Sequence, residues 1–159
     1  MHYDRNEPCS NNGFQAANAS LILASHGRLT GKALLSIPEK DDAGRALYDA
    51  PCVVLAHDIA PDPVFFYANR TAQALFEMTW DELVALPSRQ SAEPLVREER
   101  QRLLAQVARR GYIDDYSGVR VSKTGKRFRI ESATVWNLMD AGGQVVGQAA
   151  TFSDWMPLA

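Results

Sequence analysis

Arginine side chains are the groups in this chain best suited to hold a small anion. Arg120 lies in the alternating segment 112–122, and its planar guanidinium could bind a carboxylate or phosphate through two parallel hydrogen bonds. It could instead pair with an acid of the protein, such as Glu93 or Glu131. Buried charge normally has a protein partner, which favours this second interpretation. The same two alternatives are open for two further arginines, Arg89 and Arg100.

A second group of candidates lies on residues 127–139, whose alternation indicates a β-strand. One set of alternate side chains combines apolar groups with hydroxyls: Phe128, Ile130, Ser132, Thr134 and Trp136. The other set, which includes the charged residues of the strand, consists of Arg129, Glu131, Ala133 and Val135. The first set fits the wall of a half-apolar ligand pocket. Trp136 and Trp80 also fit a packed core, which is the commoner use of tryptophan.

Two polar side chains stand among apolar neighbours. The side chain of Gln148 is predicted to lie on the same strand face as Ala150 and Phe152. A core strand would normally carry an apolar residue at this position. Asn69 separates the apolar run 64–68 from a segment with helical spacing. We expect its side chain to cap the helix that begins at Arg70, and to contact a ligand only secondarily.

No catalytic or metal-binding motif accompanies these residues. Asp114 and Asp115 are neighbours on a strand and point to opposite faces, so they cannot act on one substrate. His57 precedes an aspartate, but no nucleophile motif lies near. The three histidines and two cysteines lack metal-ligand spacing, and residues 27–32 depart from the phosphate-loop pattern. We therefore expect neither an enzyme nor a metal site.

These candidates must be positioned by a small set of strands and helices. Strands are predicted at residues 51–56, 64–68, 112–122, 127–139 and 145–152. Helices are predicted from Arg70 to Phe76, after Thr79 with Glu82 as its capping-box partner, and from Pro94 to Gly111. This order predicts an α+β fold, in which a five-stranded antiparallel sheet carries helices on one face.

The N-terminal part of the chain lies outside this sheet. We divide the chain into residues 1–12, 13–45 and 46–159. The first part is polar and is expected to be disordered or frayed. The second carries a helix that should stop near Gly27, a short helix over Leu29–Ile37 and a solvated linker at residues 38–44. These helices are apolar enough to need a partner surface, either the outer face of the sheet or a second subunit.

Size and charge narrow the class of protein. A chain of 159 residues suits one domain with an N-terminal extension rather than two full domains. The net charge of −2 gives no reason to expect nucleic acid, whose binders carry a basic face. The apolar run at residues 21–24 is too short to span a bilayer, and no signal-peptide pattern is evident. We expect a cytoplasmic protein with reduced cysteines.

Several segments carry a resemblance to a known family. The stretch Asp140-Ala-Gly-Gly-Gln-Val-Val-Gly147 resembles the Asp-x-x-Gly-x-x-x-Gly element ahead of the last strand of PAS domains, and residues 51–155 cover one such domain. Five segments in order are similar to the MEKHLA family, a PAS-like module: Leu86-Pro-Ser-Arg89, Ser91-Ala-Glu-Pro94, Asp115-Tyr-Ser-Gly-Val-Arg120, Val135-Trp-Asn-Leu138 and Gly147-Gln-Ala-Ala150. The similarity extends back through residues 21–35.

The resemblance implies a pocket between the sheet and the helical crossover. It implies that Arg120 and the strand face from Phe128 to Trp136 point into that pocket. The candidate ligand-binding residues are then Asn69, Arg89, Tyr116, Arg120, Ser132, Thr134, Trp136 and Gln148. Volume for a ligand would come from the small residues Gly118, Ser132 and Ala150.

The resemblance to PAS domains also raises the question of a cofactor. Residues 86–91 contain no cysteine, so covalent flavin photochemistry of the light-oxygen-voltage type is not expected. Non-covalent flavin binding stays open. Haem is not expected, because His57 is placed in a turn and His26 at a helix end.

The expected function is that of a PAS-like sensory module. It would bind a small organic molecule and act through protein association, as a homodimer through its N-terminal helices or sheet face and with an unidentified signalling protein. Neither nucleic acid nor a membrane is expected as a partner. The alternative is a ligand-free PAS-like dimerisation module with a filled core, in which Arg89, Arg120 and Glu131 form internal ion pairs.

Overall fold

The computed structural model describes residues 3–37, 42–95 and 97–159. Its strands are β1 (Val53–His57), β2 (Phe65–Ala68), β3 (Tyr112–Val121), β4 (Arg127–Met139), β5 (Val145–Phe152) and β6 (Asp154–Pro157). Its α-helices are α1 (Ala16–Thr30), α2 (Ala43–Tyr48), α3 (Arg70–Phe76), α4 (Trp80–Leu83) and α5 (Arg97–Arg110). Two short 3-10 helices span Ser10–Asn12 and Ser88–Ser91.

The strands form one antiparallel sheet in the order β2-β1-β5-β4-β3. The predicted α+β fold with this five-stranded sheet is confirmed. A sixth strand was not expected: β6 pairs with Phe128–Glu131, the first part of β4, beyond the part that pairs with β5. Because β4 is 13 residues long, it extends past β5 and offers this free edge.

Each face of the sheet carries its own apolar layer. On one face, α3 and α5 contribute Phe76 and Val107 to a cluster with Leu55, Phe65 and Ile130. On the opposite face, α1 contributes Ile22 to a cluster that includes Trp136, Leu138 and Phe66. Of the two partner surfaces expected for the N-terminal helices, α1 therefore occupies the outer face of the sheet.

Helix α1 is longer than the sequence pattern indicated. It continues through Gly27 and ends at Thr30, followed by Gly31 in the left-handed conformation. The predicted stop near Gly27 and the second helix over Leu29–Ile37 are therefore wrong, since residues 31–37 form bends and irregular structure. Ser25, two residues before Gly27, accepts a hydrogen bond from the Met139 backbone N–H at 3.0 Å, which ties the helix to the end of β4.

The predicted linker at residues 38–44 lies partly outside the described residues. Ala43 and Gly44 belong to α2. A Cβ at position 44 would lie 2.5 Å from the carbonyl oxygen of Gly13, so glycine permits this close contact with the N-terminal segment.

Residues 3–12 pack against the domain, although disorder or fraying was expected. Tyr3 is only 4% exposed and stacks on Phe66, with 3.6 Å between the ring centroids. Its hydroxyl donates to the Val146 carbonyl oxygen, and Trp80 Nε1 donates to the Arg5 carbonyl oxygen at 2.9 Å. The expectation is therefore wrong for these residues, and residues 1–2 lie outside the described part of the chain.

A bulge in β4 changes which side chains share a face. Gly118 of β3 pairs with Ile130, but Tyr116 pairs with Ala133, so β4 contains an extra residue between these pairs. Ser132 sits there with a positive φ of 51°. Such a bulge reverses the alternation that follows it. The predicted single face from Phe128 to Trp136 is therefore wrong beyond Ile130, and the correction applies to three candidates: Ser132, Thr134 and Trp136.

Candidate functional site

A cavity of about 530 Å³ lies between the sheet and α5, in the place expected for a pocket. The loop at residues 88–95 forms part of its wall. Apolar side chains make most of the rest: Leu55, Phe65, Leu103, Leu104, Val135, Ala149 and Ala150. The polar residues around it are Ser88, Arg89, Glu93, Arg100, Tyr116, Arg120, His57 and Gln148. A volume of this size is typical of sites for small organic molecules, which span about 300–1,000 Å³.

The loop at residues 88–95 is held against β3 by backbone contacts. Glu93 N donates to the Val119 carbonyl oxygen at 3.0 Å, and Ala92 forms an isolated antiparallel bridge with Arg120. Ser91 is fully buried, and its hydroxyl donates to the Ser88 carbonyl oxygen at 2.7 Å. These contacts bring the loop directly over the Arg120 side chain.

Arg120 has no carboxylate partner among the described residues. Its Nη1 donates to Ser91 Oγ at 3.4 Å, and its guanidinium carbon lies 5.8 Å from the centre of the Tyr116 ring. Its Nε is buried without a hydrogen-bond partner in the described part of the chain. The acids considered from sequence bind elsewhere, because Glu93 pairs with Arg127 and Glu131 pairs with Arg129. The predicted internal pairing of Arg120 with either acid is therefore absent from the described structure.

Tyr116 lies against Gly118 on the cavity side of β3. A Cβ at position 118 would approach the Tyr116 hydroxyl oxygen to 2.8 Å and its ring carbon Cζ to 3.2 Å. The space that Gly118 leaves is thus filled by the Tyr116 ring, and we correct the prediction that it holds ligand volume. Tyr116 itself lines the cavity.

His57 is a wall residue that the sequence argument missed. It ends β1 instead of lying in a turn, and it lines the cavity. Its Nδ1 lies 2.7 Å from the Asp58 carbonyl oxygen, which can only accept, so Nδ1 carries the proton. Burial lowers the pKa of His57, and the nearby Arg120 charge lowers it further, against the raising effect of the Asp58 contacts. The signal available in the sequence was the alternation Val53, Leu55, His57, which places all three side chains on one face.

Gln148 is paired with His57 across the β1–β5 ladder and also lines the cavity. Its Nε2 lies 3.5 Å from Asn137 Oδ1, the outer limit for a hydrogen bond. The site therefore combines a guanidinium, an imidazole whose pKa is lowered by burial, and an amide that also contacts this imidazole.

The two other candidate arginines lie near solvent. Arg89 lines the cavity but directs its guanidinium to Asp62, with Nε and Nη2 at 3.0 and 3.3 Å from the two carboxylate oxygens. Both side chains of this pair are more than half exposed, so it belongs to the rim. Arg100 lines the cavity from the exposed side of α5.

Asn69 and Trp136 lie away from the cavity lining. The expected cap is confirmed, because the Asn69 side chain accepts from Ala72 N at the start of α3. Trp136 faces α1, where its Nε1 donates to the Ile22 carbonyl oxygen at 3.3 Å and its ring meets His26 edge-on. Thr134 lies on the same face of β4 as Trp136, and Ser132 is exposed at the bulge.

Neither cysteine lines the cavity. Cys52 packs with the cluster on the α1 face of the sheet, and Cys9 is exposed in the N-terminal segment. The cavity therefore offers no thiol to a covalent flavin adduct. The described residues contain no group of three or more His, Cys, Asp or Glu side chains placed to hold a metal ion. In the described part of the chain, none of the helices is long and apolar enough to cross a membrane.

Solved structures with a similar fold are PAS and light-oxygen-voltage domains. A light-oxygen-voltage domain from work with a flavin analogue has 19% identity and a TM-score of 0.55, covering 73% of this chain and 84% of that one. The PAS domain of a protein from Colwellia psychrerythraea has 13% identity and a TM-score of 0.55, covering 72% and 92%. The dark-state light-oxygen-voltage domain of Aureochrome1 has 17% identity and a TM-score of 0.55, covering 79% and 88%. At these identities the similarity establishes the fold alone.

The sequence comparisons identify the family. No curated protein matches the chain. The model of the MEKHLA domain matches residues 16–157, which include α1 and the whole sheet. The chain therefore belongs to the MEKHLA domain family and has a PAS-like fold.

Proposed function

We propose that this chain is a cytoplasmic sensory module that binds a small organic molecule in the cavity between the sheet and α5. The observation that carries the proposal is a cavity of about 530 Å³ whose wall contains the unpaired guanidinium of Arg120. A core that serves only to fold would have filled this volume with side chains.

The wall has the composition of a ligand site. Its apolar side chains would bury the body of a ligand, and a few polar groups would orient it. A buried guanidinium nitrogen without a partner is unfavourable, since desolvation of an unsatisfied polar group costs about 1–3 kcal/mol. A ligand that supplies the missing acceptor would remove this cost.

The cavity wall is connected to the N-terminal segment, which offers a route for output. Asp58 follows the cavity residue His57 and binds Arg5 at 2.7 Å. On the neighbouring strand, Gly147 lies so close to the Tyr3 hydroxyl that a Cβ there would approach it to 2.9 Å. A ligand that binds one packing of this segment better than another would shift the population between them.

Association with other chains would carry the signal onward. We propose that copies of this chain associate through the N-terminal helices or the sheet face, and that a separate signalling protein reads the change. The alternative is a dimerisation module without ligand, and it requires a filled core with Arg89, Arg120 and Glu131 in internal pairs. The cavity and the exposed Arg89–Asp62 and Arg129–Glu131 pairs favour the sensory role.

Native mass spectrometry of the freshly purified protein, followed by a thermal-shift screen of small metabolites, tests this proposal. Ala150→Leu places a larger side chain into the cavity, whereas Ala105→Leu makes the same change on the exposed side of α5. We expect a bound small molecule or a stabilising metabolite for the original chain and for Ala105→Leu, and weakened binding for Ala150→Leu. Binding that Ala150→Leu leaves intact, or a screen without any stabilising compound, contradicts the proposal.

A further inference from the structure

We propose that the ligand is an amphipathic carboxylate: one carboxylate group on an apolar body, with the carboxylate held by Arg120. This inference rests on the proposed function and names the chemical class of the ligand. It follows from the geometry of the arginines, the distribution of charge around the cavity and the nature of its walls.

Two other arginines show how this chain binds carboxylates. Arg89 uses its Nε and Nη2 to contact Asp62, and Arg127 uses the same two atoms to contact Glu93. This edge of the guanidinium fits the two oxygens of a carboxylate.

In Arg120 that edge has no partner among the described residues. The only hydrogen bond of its guanidinium there is made by Nη1, to Ser91. Nε, on the opposite side, is buried and unsatisfied. Because Nε is shielded, we expect a small rotation of the guanidinium when a carboxylate binds. A carboxylate from outside the chain would then complete the same two-point contact that Arg89 and Arg127 already make.

The charges around the cavity favour an anion over a neutral molecule or a cation. Glu93 is the acidic residue of the lining, and Arg127 neutralises it. Arg89 is neutralised by Asp62. Arg120 and Arg100 then leave positive charge on the wall. His57 adds none, since burial lowers its pKa and favours the neutral ring.

The remaining walls determine the rest of the ligand. Leu55, Phe65, Leu103, Val135 and Ala150 surround the volume with apolar surface. Such apolar walls fit an aliphatic or aromatic body. A phosphate monoester carries more charge than the Arg120 guanidinium alone compensates, and Arg100 is exposed to solvent, so the single open edge of Arg120 favours a carboxylate.

Isothermal titration calorimetry with three probes tests the inference: octanoate, the neutral octanamide and octyl phosphate. With the full chain, octanoate should bind at least about tenfold more tightly than octanamide, because the charge-assisted contact exists only for the acid. Arg120→Gln should abolish this preference. Arg120→Lys keeps the charge without the two-point edge and should retain only part of it. Arg109→Gln, on the exposed end of α5, is the matched control and should leave it unchanged.

Circular dichroism checks that each variant is folded. If the Arg120→Gln variant does not fold, the Arg120→Lys variant provides the test instead. Equal affinity for octanoate and octanamide, or a preference that survives Arg120→Gln, overturns the carboxylate inference while leaving a ligand-binding cavity in place. Tighter binding of octyl phosphate than of octanoate assigns a phosphate and likewise overturns it. If none of the three probes binds, the carboxylate inference is also overturned. The metabolite screen with Ala150→Leu then tests the proposed function separately.

Discussion

Among single residues, Asn69 connects several separate segments through one side chain. Its side-chain oxygen accepts from Ala72 N and Val54 N, both at 3.1 Å. Its amide nitrogen donates to the carbonyl oxygens of Leu47 at 3.2 Å and Cys52 at 2.8 Å. The side chain is fully buried, so its four contacts have no water to replace them. Asn69 therefore joins α2, β1 and α3 through one amide.

Replacing this residue should lower stability more than removal of an ordinary helix cap. We expect Asn69→Ala to reduce the free energy of unfolding by about 3 kcal/mol, because buried backbone groups lose their partners. Thr79→Ala removes the exposed cap of α4 and should cost about 1 kcal/mol. Urea unfolding of both variants measures the difference. Equal losses for the two caps would show that the buried contacts of Asn69 add nothing.

Among the elements, β4 shows where sequence patterns succeed and fail. The alternation over residues 127–139 predicted its bounds correctly, since strong periodicity survives in a paired strand. The bulge at Ser132 escaped prediction because serine carries no local signal for a positive φ, unlike glycine or asparagine. One such residue reversed the faces assigned to Thr134 and Trp136.

The bulge makes a prediction about the backbone of β4. A residue with a side chain costs about 1–2 kcal/mol in the left-handed region, and glycine avoids this cost. Ser132→Gly should therefore leave the free energy of unfolding unchanged or raise it by up to about 1 kcal/mol. Ser117→Gly, on extended β3, should lower it by about 1 kcal/mol.

Chemical denaturation of the two glycine variants compares these positions directly. A similar loss at both sites would mean that Ser132 does not hold a left-handed conformation.

The N-terminal segment could not be placed from local composition. Residues 3–12 are mostly polar, and Tyr3 is their principal apolar anchor. Its partner Val146 lies 143 residues away along the chain. The pairing of Glu93 with Arg127 depends on long-range packing in the same way, so the sequence left the partner of Arg120 undecided. By contrast, strand alternation together with the family resemblance was enough to predict that Arg89, Tyr116, Arg120 and Gln148 lie around one cavity.

For the whole molecule, the buried His26 and the partly buried His57 predict that stability depends on pH. Burial lowers the pKa of both His26 and His57 below the usual histidine value of about 6.5. As the pH falls below this value, the unfolded chain takes up protons that the folded protein does not. The free energy of unfolding should therefore decrease between about pH 7.5 and about pH 5.5.

Urea unfolding across this interval, with His57→Gln and His26→Gln beside the original chain, measures the effect. Each variant should show a weaker dependence on pH, whatever its own stability. Asp58, Glu77, Glu82 and Glu93 have lowered pKa values and lose their contributions only at more acidic pH. A free energy of unfolding that is constant or increases on acidification would contradict this assignment.

The most direct test of the account is the side-chain NMR signal of Arg120. In a ¹H–¹⁵N spectrum, the Nε–Hε resonance of Arg120 can be assigned by its loss in Arg120→Gln. If a small carboxylate binds in the cavity at the open edge of this guanidinium, titration with octanoate should shift that resonance to saturation and leave that of Arg109 in place. An Arg120 resonance that stays unchanged at high octanoate, or one that moves only together with Arg109, would contradict the account.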